Sequence, residues 1–244
     1  MRKLSSKVKL TFTSPLFWIV IVCFGITYLE FFTSSISFFL TRYCWNSPVE
    51  VFSGQYYRLF TALFLHLDIF HLSGNMLFLA LLTWIISANI TRFQYLMVLL
   101  FSGVFGNLLA DTFITYLYKL DGHVWSFLTT IGYTYGAIGF STAIMGLFSF
   151  TIIVFLFANA RRFTKVKFKS GLLVFAVCSQ ILYTYQNLST NPWLSIPSYS
   201  HIGGGLIGIL SFYTDVIKEM SRSSENNCHV KVFGAFRFLL CKIF

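Results

Sequence analysis

Gly139-Phe140-Ser141-Thr142 lies at the head of an apolar run over 137–158, and His201-Ile202-Gly203-Gly204-Gly205 opens another over 201–217. The first stretch supplies a candidate nucleophile, Ser141, and the second a candidate base, His201. Polar side chains are costly inside segments able to cross a bilayer, so each needs a partner or a purpose. The two are expected to meet, with the rest of the chain as the frame around them.

That frame is apolar throughout. The chain has 244 residues, 56% hydrophobic and 11% charged, with a mean hydropathy of +0.72. A soluble domain carries about 25% charged residues. The deficit indicates a polytopic, all-α membrane protein forming one bundle rather than several domains. Six spans are predicted, over 16–39, 69–88, 94–117, 137–158, 171–185 and 201–217. The fifth is short, as for a tilted or loosely held helix. The sequence divides into a segment 1–15, a six-span domain 16–218 with a long first connection at 41–67, and a tail 219–244. No cleavable signal pattern precedes the first span.

The net charge of +10 reflects topology. With the amino terminus in the cytoplasm, fifteen of the 18 basic residues fall on inside segments, and Arg42, Arg58 and Lys119 fall outside. Basic residues favour the inside, so both termini are expected in the cytoplasm. The expected location is the cell membrane. No basic stripe interleaved with stackable aromatics points to nucleic acid. The five cysteines lack a Cys-x-x-Cys pair, and no His, Asp or Glu set has ligand spacing, so no metal or cofactor is expected.

Trp45, Tyr56 and Tyr57 mark the 41–67 connection as interfacial, the alternative being an ordinary exposed loop. The tail over 230–244 reads either as an amphipathic surface helix or as a weakly ordered segment. Asn89-Ile90-Thr91 and Asn187-Leu188-Ser189 read as chance sequons.

The even-numbered spans all run from outside to inside, so polar residues near their starts share one depth. His71 and Asn75 lie in the first two turns of the second span, Ser141 in the second turn of the fourth, and His201 opens the sixth. His71 and Asn75, four apart, share a helix face. His201, Gly204, Gly205 and Gly208 share another, and small residues let membrane helices approach closely. Gly136 and Gly139 relieve crowding where the fourth span begins. Taken singly, each residue has a plainer role. A serine can bond back to its own helix, a histidine can sit at the interface, and an asparagine can join helices. Their conjunction in one layer favours a serine–histidine dyad. Asp111 and Asn107, four apart in the third span, read as structural.

At these residues the sequence resembles the rhomboid family of intramembrane serine proteases. The resemblance is carried by Tyr57-Arg58-Leu59-Phe60-Thr61, His66-x4-His71-x3-Asn75-Met76, Gly139-x-Ser141 and His201-x2-Gly204-x3-Gly208. It implies a six-span bundle with Ser141 as nucleophile and His201 as general base. It further implies oxyanion stabilisation by the Ser141 backbone, Asn75 and His71, with Gly139, Gly204 and Gly208 as packing positions. Expected partners are the lipid bilayer and single-span membrane proteins, cut near the outer face. The fifth span would be the mobile wall through which they enter.

Three positions depart from the pattern. Thr142 stands where the family usually has glycine, Met145 where an aromatic residue is frequent, and Tyr57 where tryptophan precedes the arginine. The branched Thr142 is expected to crowd the closest helix contact. Two other classes compete: an inactive relative that binds membrane clients, and a small transporter with Asp111 as its midplane ionisable residue.

Overall fold

Local chemistry sets where each helix starts and stops. The computed structural model describes residues 14–87, 90–121, 137–159 and 196–226, with single positions at 176, 178 and 182. Helix α1 (Pro15–Phe32) begins with proline in its first turn, where the missing N–H costs nothing. It ends at Phe32, short of the expected residue 39, because Thr33 is extended (φ −136°, ψ 100°). The break falls at Thr33-Ser34-Ser35, residue types that favour helix ends over helix interiors; Thr33 itself makes no side-chain cap bond. A separate helix α2 (Ser34–Cys44) follows, with no buried residue and with Phe38, Phe39 and Tyr43 exposed. The connection to the second span therefore starts at Thr33 rather than near residue 41.

Two short helices, α3 (Pro48–Phe52) and α4 (Arg58–Thr61), and a 3-10 turn (Ala62–Phe64) complete this connection. Arg58 holds it together from a buried position. Its guanidinium donates to Gln55 Oε1 (2.8 Å), to the Trp45 carbonyl (2.9 Å) and to the Arg42 carbonyl (2.9 Å). A planar fork of fixed donors can serve three acceptors at once, which an ammonium on a flexible stem does poorly.

Helix α5 (Ile69–Ile86) starts at Asp68, whose carboxylate accepts the His71 N–H (2.7 Å) as an N-cap. Helix α6 (Arg92–Asp121) starts with a reciprocal box: Thr91 Oγ1 accepts the Gln94 N–H, and Gln94 Oε1 accepts the Thr91 N–H. Tyr95 joins the two helices through its hydroxyl, 2.8 Å from Thr83 Oγ1. Thr83 donates its only proton to the Leu79 carbonyl, so Tyr95 is the donor in this bond.

Helix α7 (Ser141–Asn159) begins at Ser141 itself, four residues later than expected. Helix α8 (Ile196–Asn226) begins five residues before His201, with Pro197 in its first turn. The expected fifth span lies outside the described residues apart from positions 176, 178 and 182, as do the segment 1–13 and the tail 227–244.

The described residues are helical, with no strand. Helix α8 packs chiefly on α6 and α7, α6 on α7, α5 on α7, and α1 on α5. Leu79, Leu82, Leu99, Ile144 and Leu147 form the centre of the shared core. Among the described residues three helices are long and apolar enough to cross a membrane: α1, α5 and α6 over Arg92–Tyr116. Trp18, Phe24, Tyr28 and Phe31 face outward from α1, the pattern of a helix solvated by lipid.

Replacing Arg58 by alanine leaves two backbone carbonyls without their donor and is expected to destabilise the fold by on the order of 3 kcal/mol. Arg58→Lys, keeping the charge but not the fork, is expected to recover less than half of that loss. Thermal unfolding of detergent-solubilised protein reads both.

Candidate active site

The turn ahead of α7 sets the position of Ser141. Gly139 has φ +109°, a conformation that side chains disfavour. A Cβ there would also lie 2.9 Å from His71 Cε1 and 3.3 Å from Asn75 Nδ2. Gly139 thus belongs to the turn rather than to a helix–helix contact, and its bare α-carbon makes room for both side chains of α5. Two backbone donors moor the turn to the connection before α5. The Gly139 N–H donates to the Ala62 carbonyl (2.9 Å), and the Phe140 N–H approaches His66 Nε2 (3.5 Å). Ser141 then occupies the first helical position, where backbone N–H groups have no intrahelical acceptor and the helix dipole is positive.

His201 reaches this point from α8. Its Nε2 lies 2.9 Å from Ser141 Oγ, across sixty residues of chain. The approach depends on glycine. A Cβ at Gly204 would overlap the Thr142 carbonyl oxygen, and one at Gly208 would overlap the Gly146 carbonyl oxygen. Both glycines therefore stand at the crossing of α8 with α7, on the helix face that bears His201.

His71 and Asn75 stand one turn apart on α5 and line a cavity of about 260 Å³ together with Ser141 and His201. Phe70, Phe78, Ile144 and Met145 make its apolar walls. Asn75 Nδ2 is buried, with no hydrogen-bond partner among the described residues. A buried amide donor left open beside a hydroxyl–imidazole pair suits charge that develops only during reaction. The arrangement can deprotonate a hydroxyl and stabilise an oxyanion.

The remaining polar residues flagged in the sequence have other tasks. Asp68 caps α5. Asp111 is buried and accepts from Asn46 Nδ2 (3.0 Å), away from the cavity walls. Asn107 does not bond to Asp111; it donates to the Leu59 carbonyl (3.3 Å). Thr142 does not disrupt the helix contact. It is buried, its hydroxyl donates to Asn107 Oδ1 (3.1 Å), and its methyl lies where a Cβ at Gly106 would come within 2.7 Å. Among the described residues no group of three or more His, Cys, Asp or Glu side chains is arranged to hold a metal ion.

Sequence reasoning left two features unassigned. One is the mooring role of His66, which its fixed spacing to His71 could have suggested. The other is the pair Phe70 and Phe78, whose helical register with Gly74 places all three at the cavity.

Comparison with known proteins adds a family. The Rhomboid domain model matches residues 53–218, about two-thirds of the chain. No curated protein matches it.

Burial, and then the neighbouring His71 ring, lower the His66 pKa to about 4 from an ordinary 6.5. The ring is therefore neutral at physiological pH, and a neutral Nε2 can accept the Phe140 N–H. A depressed histidine contributes stability that is fully present above about pH 6.5 and is lost as pH falls toward 4. The unfolding midpoint is expected to drop over that window. His66→Gln, which keeps an acceptor but does not titrate, is expected to make the slope shallower in thermal melts between pH 7 and 4.5.

Proposed function

Because the chain belongs to the rhomboid family, we propose that it is a six-span intramembrane serine endopeptidase. In this reading it hydrolyses peptide bonds of single-span membrane proteins near the outer membrane face. Both termini are cytoplasmic, as the skew of basic residues supports, and the cell membrane is the site of action.

The 2.9 Å approach of Ser141 Oγ to His201 Nε2, in a cavity with an open amide donor, carries the proposal. His201 Nε2 takes the hydroxyl proton as Ser141 Oγ attacks the scissile carbonyl carbon. The carbonyl oxygen becomes an oxyanion, held by the Ser141 N–H, by Asn75 Nδ2 and by His71. Donors of this kind contribute about 2.7–4 kcal/mol each to the transition state. The imidazolium then protonates the leaving amine, the C–N bond breaks, and an acyl group remains on Ser141. Water enters the cavity and gives a proton to His201 as its oxygen attacks the acyl carbon; the bond from that carbon to Ser141 Oγ then breaks, His201 returns the proton to Ser141 Oγ, and the carboxylic acid product leaves.

A substrate helix hides its amides in internal hydrogen bonds. Helix-breaking residues near the cut are therefore expected to promote cleavage by freeing the carbonyl. Phe70, Phe78, Ile144 and Met145 give that segment an apolar wall.

Co-expression with a tagged single-span reporter and labelling with a fluorophosphonate test the proposal together. The wild type is expected to cleave and to label. Ser141→Ala and His201→Ala are expected to do neither while melting normally, and Asn75→Ala to lose on the order of 100-fold in cleavage rate. A folded wild type that binds the reporter but neither cuts nor labels would instead identify an inactive client-binding relative.

A further inference from the structure

Thr142 follows the proposed nucleophile, and its hydroxyl is one end of a buried chain of hydrogen bonds. Thr142 Oγ1 donates to Asn107 Oδ1 (3.1 Å), and Asn107 Nδ2 donates to the Leu59 carbonyl (3.3 Å). Thr142 and Asn107 are both about 2% exposed. The proton directions are determined by chemistry. A backbone carbonyl only accepts, so the amide nitrogen of Asn107 must face Leu59. That leaves its oxygen toward Thr142, which must donate. The chain joins three elements: α4 beside Arg58, the middle of α6, and the first turn of α7.

Packing selects the same side-chain orientation. The Thr142 methyl sits in the space left bare at Gly106 on α6 and Gly204 on α8; a Cβ built there would lie 2.7 Å and 3.2 Å from it. With the methyl seated between two glycines, the hydroxyl is directed at Asn107. A threonine in the second position of a helix has no carbonyl four residues earlier within that helix to bond back to. Its donor is therefore available to another element.

We propose that Thr142 is a positioning residue for Ser141, fixing the first turn of α7 against α6 through Asn107 and so holding Ser141 Oγ on His201 Nε2. This rests on the reading of Ser141 as the nucleophile. Two backbone bonds, from Gly139 and Phe140, moor the turn before Ser141. The Thr142–Asn107–Leu59 chain moors the turn after it. Ser141 is thereby held from both sides, and both moorings end on the segment between α1 and α5.

Thr142→Val keeps the shape and removes the donor; Thr142→Ser keeps the donor and removes the methyl. Purified full-length protein is assayed in lipid vesicles for reporter cleavage and for the rate of fluorophosphonate labelling. Thr142→Val is expected to lower kcat and the labelling rate about tenfold, the effect of leaving one buried acceptor unsatisfied, with KM unchanged. Thr142→Ser is expected to stay within about twofold of wild type, since a hydrogen bond is a larger contribution here than one methyl. Labelling by Thr142→Val at the wild-type rate would overturn the proposal, as would equal losses in Thr142→Val and Thr142→Ser. A rise in KM with kcat unchanged would also overturn it by assigning the residue to substrate binding. If Thr142→Val fails to fold, Asn107→Leu serves as the second variant. It removes both the acceptor for Thr142 and the donor to Leu59, and a wild-type labelling rate there overturns the proposal. A wild type that does not label overturns the reading of Ser141 itself, and the proposal with it.

Discussion

The distance between helices α7 and α8 governs the geometry of the site. An imidazole turns about only two bonds, so its reach toward Ser141 is set by where the α8 backbone lies. Gly204 and Gly208 bring that backbone onto carbonyl oxygens of α7, at Thr142 and Gly146. Gly106 does the same from α6, where a Cβ would come within 2.7 Å of Gly204 Cα. In a lipid environment the apolar effect gives helices little reason to associate. Close van der Waals contact between bare backbones takes over that role. The 2.9 Å hydroxyl–imidazole approach follows from that contact.

Polar side chains in such an interior are held because leaving them unpaired is costly. Helix α6 shows the consequence. Asn107 and Asp111, one turn apart, both reach the segment between α1 and α5, at Leu59 and Asn46. Arg58 gathers the same segment onto itself through three acceptors. That segment in turn accepts the Gly139 N–H at Ala62. The turn that presents Ser141 is therefore built on residues some seventy-five positions earlier in the chain. Its stability is tied to a part of the sequence that lines none of the cavity.

The layer of Ser141, His201, His71 and Asn75 was legible because membrane spans constrain depth, and depth plus helical spacing leaves few arrangements. The registers were less legible. The run read as the first span continues past Phe32 to residue 39, and Glu30 with the hydroxyl cluster at Thr33-Ser34-Ser35 is the hint that the helix stops earlier. Hydropathy extended α7 back to Ala137, whereas the positive φ of Gly139 forces a turn there. It likewise started α8 at His201, whereas the helix already runs from Ile196. Thr142 differs in kind. Its size is visible in the sequence, but the space for its methyl comes from Gly106, thirty-six residues away, and its acceptor from Asn107. Pairwise fit between helices is not written in either helix alone.

The chemistry proposed here is divided among helices: α7 carries the nucleophile, α8 the base and α5 the oxyanion donors. Among the described residues helix α6 contributes no side chain to the cavity, yet it packs against α7 and α8 and holds the segment that moors the turn at Gly139. Removing a donor or a base would cost a chemical step directly. Altering α6 would act through spacing, since Gly106 sets the approach of α8 and Asn107 meets the residue after Ser141. A hydrogen bond between two helices tolerates little change in their separation, because its strength falls steeply with distance and angle. The rigidity of α6 against its neighbours is thus as much a requirement of the proposed reaction as the identity of Ser141 and His201. It is met by glycine and buried amide contacts rather than by charge.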